Sequence, residues 1–297
     1  MGPLPRNLGF VLLIIFAVVC TLAADTPATW LERLNFYRAT AALPPVSEAP
    51  SLSGPVSLHA RYMVVHDVIR HSEKRRHAGA TAEGAEAAAV SNLAASLRAD
   101  EPDAWAVDTW MQGPFHAVGI LDPALTQVGF GIHREHNGRI QTAAGLDVIH
   151  GRAASAPASI IYPVVWPADG TTVPLSAGIR EYPNPLTSCR GYRTPTGLPL
   201  IVQVGPGEGV PRVTGSWIFD GERALEHCVF DESTYRNGNK AQQRLGRSIL
   251  AARDAIVLIP REPLTRGRSY RAMIDVDGRH IDWTFTVGRS ASDGATP

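Results

Sequence analysis

Ten histidines, a pair of cysteines in the C-terminal half and scattered serines and carboxylates are the side chains of this 297-residue chain that could do chemistry. His59 and His66 recur with Val56 and Met63 at three- and four-residue spacing, which places two imidazoles on one helical face. Such imidazoles are ordinarily satisfied by backbone or solvent, and a metal site needs a third ligand. Ser72 or Ser91 with His71 or His116 would make a serine hydrolase, yet no Gly-x-Ser-x-Gly elbow accompanies them. Cys189 and Cys228 are an even pair once Cys20 is set aside, and in an exported chain an even pair is most simply a disulfide. A thiol nucleophile would need His227 beside Cys228, but neighbours on a strand point to opposite faces.

The compartment is legible at the start of the chain. Arg6 precedes the apolar run Leu8 to Leu22, about 15 residues against the roughly 20 that a membrane helix needs. Ala23 and Ala24 follow, so residues 1–24 read as a secretory signal peptide, with the mature chain starting near Asp25 in a secreted, extracytoplasmic setting. Cys20 as a lipoprotein anchor is opposed by Val19, where such signals place a small residue; an uncleaved anchor is the other alternative. No later stretch is apolar enough for a transmembrane span. Lys and Arg number 28, as do Asp and Glu, so no global basic field exists and no nucleic-acid partner is expected.

Composition divides the chain near residue 155. Alanine-rich helical periodicity lies before it, and proline, glycine and short β-branched runs lie after it. The expected organisation is a domain over 25–152, a linker over 153–159, a β-sandwich over 160–288 and a flexible tail over 289–297. A helix is predicted from Asp100-Glu-Pro102-Asp103 through Trp110 to a stop at Gly113-Pro114. Thr126 to Ile132 alternates as a strand, with Gly138 to Thr142 as its partner. Asp277-Gly278 is a two-residue hairpin turn that pairs Ile274 with Ile281 and Tyr270 with Phe285. Asp220-Gly221 marks a second hairpin between Ser216–Phe219 and Ala224–Phe230; with runs at 160–165, 198–204 and 255–259, about seven strands result.

The order of pieces in the N-terminal half resembles the bacterial branch of the CAP superfamily (SCP, antigen five and pathogenesis-related proteins). The residues that carry the resemblance are Leu34-Asn35-Phe-Tyr-Arg38, His59-Ala-Arg-Tyr-Met63, Arg70-His71-Ser72-Glu73 and Trp110 to Pro123, followed by Val128-Gly-Phe-Gly131. The resemblance implies an α-β-α sandwich with a central cavity in which two histidines and two glutamates can bind a divalent metal such as zinc. His71 and His116 match the histidines. The glutamates do not carry over: Ser91 stands where the family commonly has Gly-Glu-Asn, and Gly113 stands where a glutamate can follow the tryptophan. Glu73, Glu83, Glu86, Asp108 or His136 could compensate, Glu86 foremost because it precedes Asn92, although acids such as Glu83 and Glu86 ordinarily form a solvated face.

The segment 158–288, with Ala255 to Tyr270 and Trp283-Thr-Phe285, resembles bacterial Ig-like domains. Its Arg261, Arg266 and Arg268 would meet anionic wall polymers or simply be solvated. The expected protein is therefore a CAP-type α/β domain plus an all-β Ig-like sandwich, acting as an extracytoplasmic binding module for a lipid, glycan or cell-envelope ligand. Trp105, Trp110, Phe115 and Met63 are expected to line its cleft or its core. The alternatives are a metal-dependent hydrolase using His71 and His116, and a structural surface spacer.

Overall fold

A computed structural model describes residue 2 and residues 29–289; the signal-peptide reading and residues 290–297 of the tail lie outside the described residues. Six helices are present among them: α1 (Trp30–Ala39), α2 (Pro50–Val65), α3 (Ala82–Val90), α4 (Asp103–Met111), α5 (Pro114–Ile120) and α6 (Lys240–Ala251).

The N-terminal half is three layers deep. Its sheet runs in the order Ser47–Glu48, Gln127–Arg134, Thr142–Asp147, Ser91–Ser96. Alternation along Gln127–Arg134 separates the two faces. Phe130 stacks on Trp30 at 4.5 Å and meets Trp110 edge-on at 6.4 Å, so α1 and α4 cover one face. Gly131 points the other way, where any Cβ would run into the α2 backbone at Val56 and Ser57. Helix and strand thus touch backbone to backbone, as a side chain would forbid. The predicted partner strand begins at Thr142 rather than Gly138, because the Asp67 carboxylate draws the Arg139 and Ile140 N–H groups into a loop.

The C-terminal half holds two larger sheets. One joins Arg223–Ala224, Val213–Asp220, Ser269–Val276, Arg279–Val287 and Thr171–Val173; the other joins His227–Phe230, Ala255–Pro260, Leu200–Gln203 and Val164–Trp166. The hairpin at Asp277-Gly278 has the register its turn demands, Ile274 opposite Ile281 and Tyr270 opposite Phe285. The second hairpin is shorter than expected. Only Arg223–Ala224 folds back on Val213–Asp220, and His227–Phe230 crosses to pair with Ala255–Pro260 in the other sheet. Cys228 there is joined to Cys189 in a disulfide. Helix α6 interrupts the strands and has no counterpart in the sequence reading; its Asn239 side chain caps it by accepting from the Ala241 and Gln242 N–H groups.

One core runs through both halves, from Leu34 and Trp110 to Trp166, Ile201 and Leu258. Trp166 donates to the Thr40 hydroxyl (3.0 Å) and packs on Tyr37, and Gln203 donates to the Leu121 carbonyl (2.8 Å). Buried Asp122 pairs with Arg152 at 2.6 Å and with buried Arg253, from the far half, at 2.8 Å. Arg38 is wholly buried and donates to the carbonyls of Pro44, Ile120, Asp122 and Leu125. Burial pulls its pKa down to about 10, with Asp122 opposing, so it stays charged at neutral pH.

Arg38→Ala removes the donors from four carbonyls and should destabilise the protein by about 3 kcal/mol or more in urea unfolding. A loss under about 1 kcal/mol would show that these carbonyls find other partners. Replacing Cys189 and Cys228 with alanine opens a 39-residue separation and should cost up to about 4 kcal/mol, read by the same unfolding with and without reductant.

Candidate functional site

His71 lies in the segment that follows α2, and that segment is held from beneath. His59 is buried in α2; its Nε2 must donate to the Arg70 carbonyl at 2.8 Å, since a carbonyl only accepts, while its Nδ1 lies 2.9 Å from buried Glu73 Oε1. Glu73 Oε2 accepts from the Thr81 N–H at 2.8 Å, which ties the far end of the segment to the start of α3. The two residues on either side of His71-Ser72 are thereby pinned. His71 Nδ1 then donates to the Ala88 carbonyl of α3 at 2.8 Å, which leaves Nε2 as its unprotonated nitrogen when the ring is neutral.

His116 is the third residue of α5, and its partner comes from the other half of the chain. Gly113 caps that helix without a side chain, and Pro114 has no N–H to satisfy. The carboxylate of Glu181, 2% exposed, accepts from the Phe115 N–H (2.9 Å) and the His116 N–H (3.2 Å), and lies 2.6 Å from His116 Nδ1. A side chain from residue 181 therefore does the work of a helix cap. The space it occupies is the one a Cβ at Gly113 would fill. Where Gly113 supplies no carboxylate, one enters from outside the N-terminal half. His116 Nδ1 is engaged by the Glu181 carboxyl group, and Nε2 is again the ring nitrogen left over.

Both imidazoles line a hollow of about 740 Å³ with Arg70, Trp110, Arg180 and Glu181. A second chamber of about 360 Å³ shares His71, His116 and Tyr182 with the first, and is walled by Phe115, Ile149, Leu245 and Ile249. α6, absent from the sequence reading, supplies the last two. Ser91 also lines this chamber, and its hydroxyl is buried without a hydrogen-bond partner among the described residues. Asn92 donates to the His116 carbonyl at 3.1 Å.

The remaining candidates lie elsewhere. Glu86 and Glu83 are exposed on α3 and His136 is exposed in a loop; none lines either chamber. Glu73 is committed to His59, and Asp108 to Tyr37 (2.7 Å) and Arg33 (3.3 Å). His66 caps the end of α2 with Nε2 at 2.9 Å from the Ala78 carbonyl. Of the four apolar cleft residues, Trp110 and Phe115 line the chambers, whereas Met63 is core and Trp105 packs against the core. The reason is angular: Trp105 and Trp110 are five positions apart on α4, so they cannot face the same way. Glu181 escaped sequence reasoning because it stands among Arg180, Tyr182 and Pro183 with no motif around it; the one available signal was the glycine at 113.

The donor set for a metal can be tested directly. Each ring has its Nδ1 tied to an acceptor, as ligating histidines do, but a catalytic zinc takes three protein ligands. Glu181 is spent on α5 and His116, and no group of three or more His, Cys, Asp or Glu able to hold a metal occurs among the described residues. Two imidazoles fall short of that set.

Desolvation pushes His71 below the ordinary histidine value, the Ala88 bond opposes this, and the nearby His116 and His59 push further down. The unfolded chain takes up this proton first, so the contribution to stability is present above the ordinary value of 6.5 and lost as pH falls through the lower folded value. NMR titration should find the His71 ring neutral at pH 7, and His71→Gln should flatten the stability profile on the acid side of 6.5. Gly113→Ala should expel the Glu181 carboxylate at a cost of about 1–3 kcal/mol, and Glu181→Ala added to it should cost little more. Fully additive losses would separate the two residues.

No match to the chain is found among curated proteins. Glu181 lies beyond the segment that a family model covers. Residues 31–144 match the model of the Cysteine-rich secretory protein family, CAP, and this match supports a CAP superfamily domain over that segment of the chain.

Proposed function

We propose that the protein is a secreted, extracytoplasmic binding or interaction module whose ligand enters the hollow between its CAP domain and its C-terminal half. The observation that carries this is the hollow itself: about 740 Å³, with largely apolar walls and a tethered imidazole pair, it falls within the roughly 300–1,000 Å³ of small-molecule sites. Secretion is supported by the CAP match and by the Cys189–Cys228 disulfide, a bond suited to oxidising compartments. The bacterial branch of the superfamily and an Ig-like identity for the C-terminal sheets belong to the same proposal.

A metal-dependent hydrolase using His71 and His116 is the second reading, favoured by one observation, the tying of both Nδ1 atoms to acceptors. Zinc titration by calorimetry separates the two. Stoichiometric zinc that is lost in His116→Ala supports the hydrolase.

For the binding module, the apolar fluorophore ANS should bind the folded protein at one site. Ala95→Trp, which fills the hollow from its wall, should abolish that signal without lowering the melting temperature. Equal ANS binding by Ala95→Trp would place the ligand elsewhere.

A further inference from the structure

Four of the nine large apolar side chains left exposed among the described residues stand around this one hollow. Ile69 (52%) and Tyr182 (52%) border the larger chamber, and Ile149 (41%) and Leu245 (43%) border the smaller, which Tyr182 shares. Exposed apolar groups are ordinarily scattered singly, so their concentration around these two adjoining chambers marks a contact surface. Charge is distributed unevenly at the same place. Arg70 and Arg180 line the larger chamber, and neither forms an ion pair with a carboxylate among the described residues. Among the described residues the only carboxylate lining it is Glu181, already occupied by two N–H groups and the His116 ring. Beyond Arg70 the segment continues through exposed Lys74, Arg75 and Arg76, whose one acid, Glu73, is turned inward to His59. In a chain with 28 basic and 28 acidic residues, this local excess is not a property of the whole.

We propose that the hollow takes an anionic amphiphile: an acyl-type chain among Leu93, Ala94, Trp110 and Ile179, and a negatively charged head on Arg70 and Arg180 at the mouth. The inference rests on the binding reading above and adds to it the head charge and the orientation. Apolar burial supplies affinity for any chain of suitable size, while the two guanidinium groups select phosphate or carboxylate heads by charge-assisted hydrogen bonds. A neutral head of the same size would leave both arginines in water and gain nothing from them.

The test compares dodecyl phosphate, dodecyl maltoside, inorganic phosphate and soluble polyphosphate on the full chain, by calorimetry below the micelle concentrations. Dodecyl phosphate should bind at one site and at least about tenfold tighter than dodecyl maltoside, with an advantage that shrinks as salt rises. The double variant Arg70→Ala, Arg180→Ala should erase that advantage and leave maltoside binding unchanged, with circular dichroism confirming its fold. Ile69→Ser with Tyr182→Ser should weaken both amphiphiles together. Equal affinity for the two heads, or an unaffected double variant, overturns the inference while leaving the hollow as a binding site. Tight binding of inorganic phosphate or polyphosphate without dodecyl phosphate overturns it in favour of a soluble anion. Failure of both amphiphiles, together with loss of the ANS site, overturns the binding reading itself.

Discussion

The candidate site depends on the placement of one carboxylate. Glu181 comes from the C-terminal half and is nearly inaccessible to water, and an ionised group there is tolerable only if its acceptor sites are filled. Two helix N–H groups and the His116 ring fill them. The same bonds satisfy a helix end that Gly113 leaves uncapped and fix which nitrogen of His116 remains. Three local problems, an unsatisfied helix terminus, a mobile imidazole and a buried charge, are solved by one contact. That contact also joins the two halves at the hollow, so the wall made by residues 179–182 and the wall made by α4 and α5 are held as one structure.

Around that contact, the fold is organised to keep two rings still. His116 is on a helix, while His71 sits in a segment without regular structure and needs more support. The buried His59–Glu73 pair provides it, with acceptors at both nitrogens of His59 and the Thr81 N–H on Glu73. Further out, Arg38 binds the turn after α5 through the Ile120, Asp122 and Leu125 carbonyls, and Asp122 itself reaches Arg253 beside α6. These are buried charges with several partners each, the circumstance in which burial of an ion is sustained. The walls of the resulting hollow carry Leu93, Ala94 and Trp110 together with Arg70 and Arg180.

Much of the framework was legible from local patterns. The strand Gln127–Arg134, the helix ending at Gly113-Pro114 and the Asp277-Gly278 hairpin follow from side-chain periodicity and turn chemistry that act within a few residues. The second hairpin was less faithfully written, because its returning arm switches sheets after Ala224, a choice made by distant partners at Ala255–Pro260. Helix α6 lay hidden in a stretch otherwise read as strands and turns. Glu86 was the foremost of the candidate acids by its place before Asn92, yet packing turned Glu73 inward to His59 and left Glu86 in solvent.

The sequence by itself determined the strand at Gln127–Arg134, the helix that stops before Gly113-Pro114, the Asp277-Gly278 hairpin, the even cysteine pair and the absence of a carboxylate at 113, because each is encoded in residues close together or in composition. The resemblance of the N-terminal half to the CAP superfamily led to the expectation of His71 and His116 in one cavity, whereas tertiary structure alone brought Glu181 to its wall. Residues 116 and 181 are 65 positions apart, and nothing in the local chemistry of either names the other. Their meeting is set by how two hydrophobic faces pack, and that is a property of the folded whole.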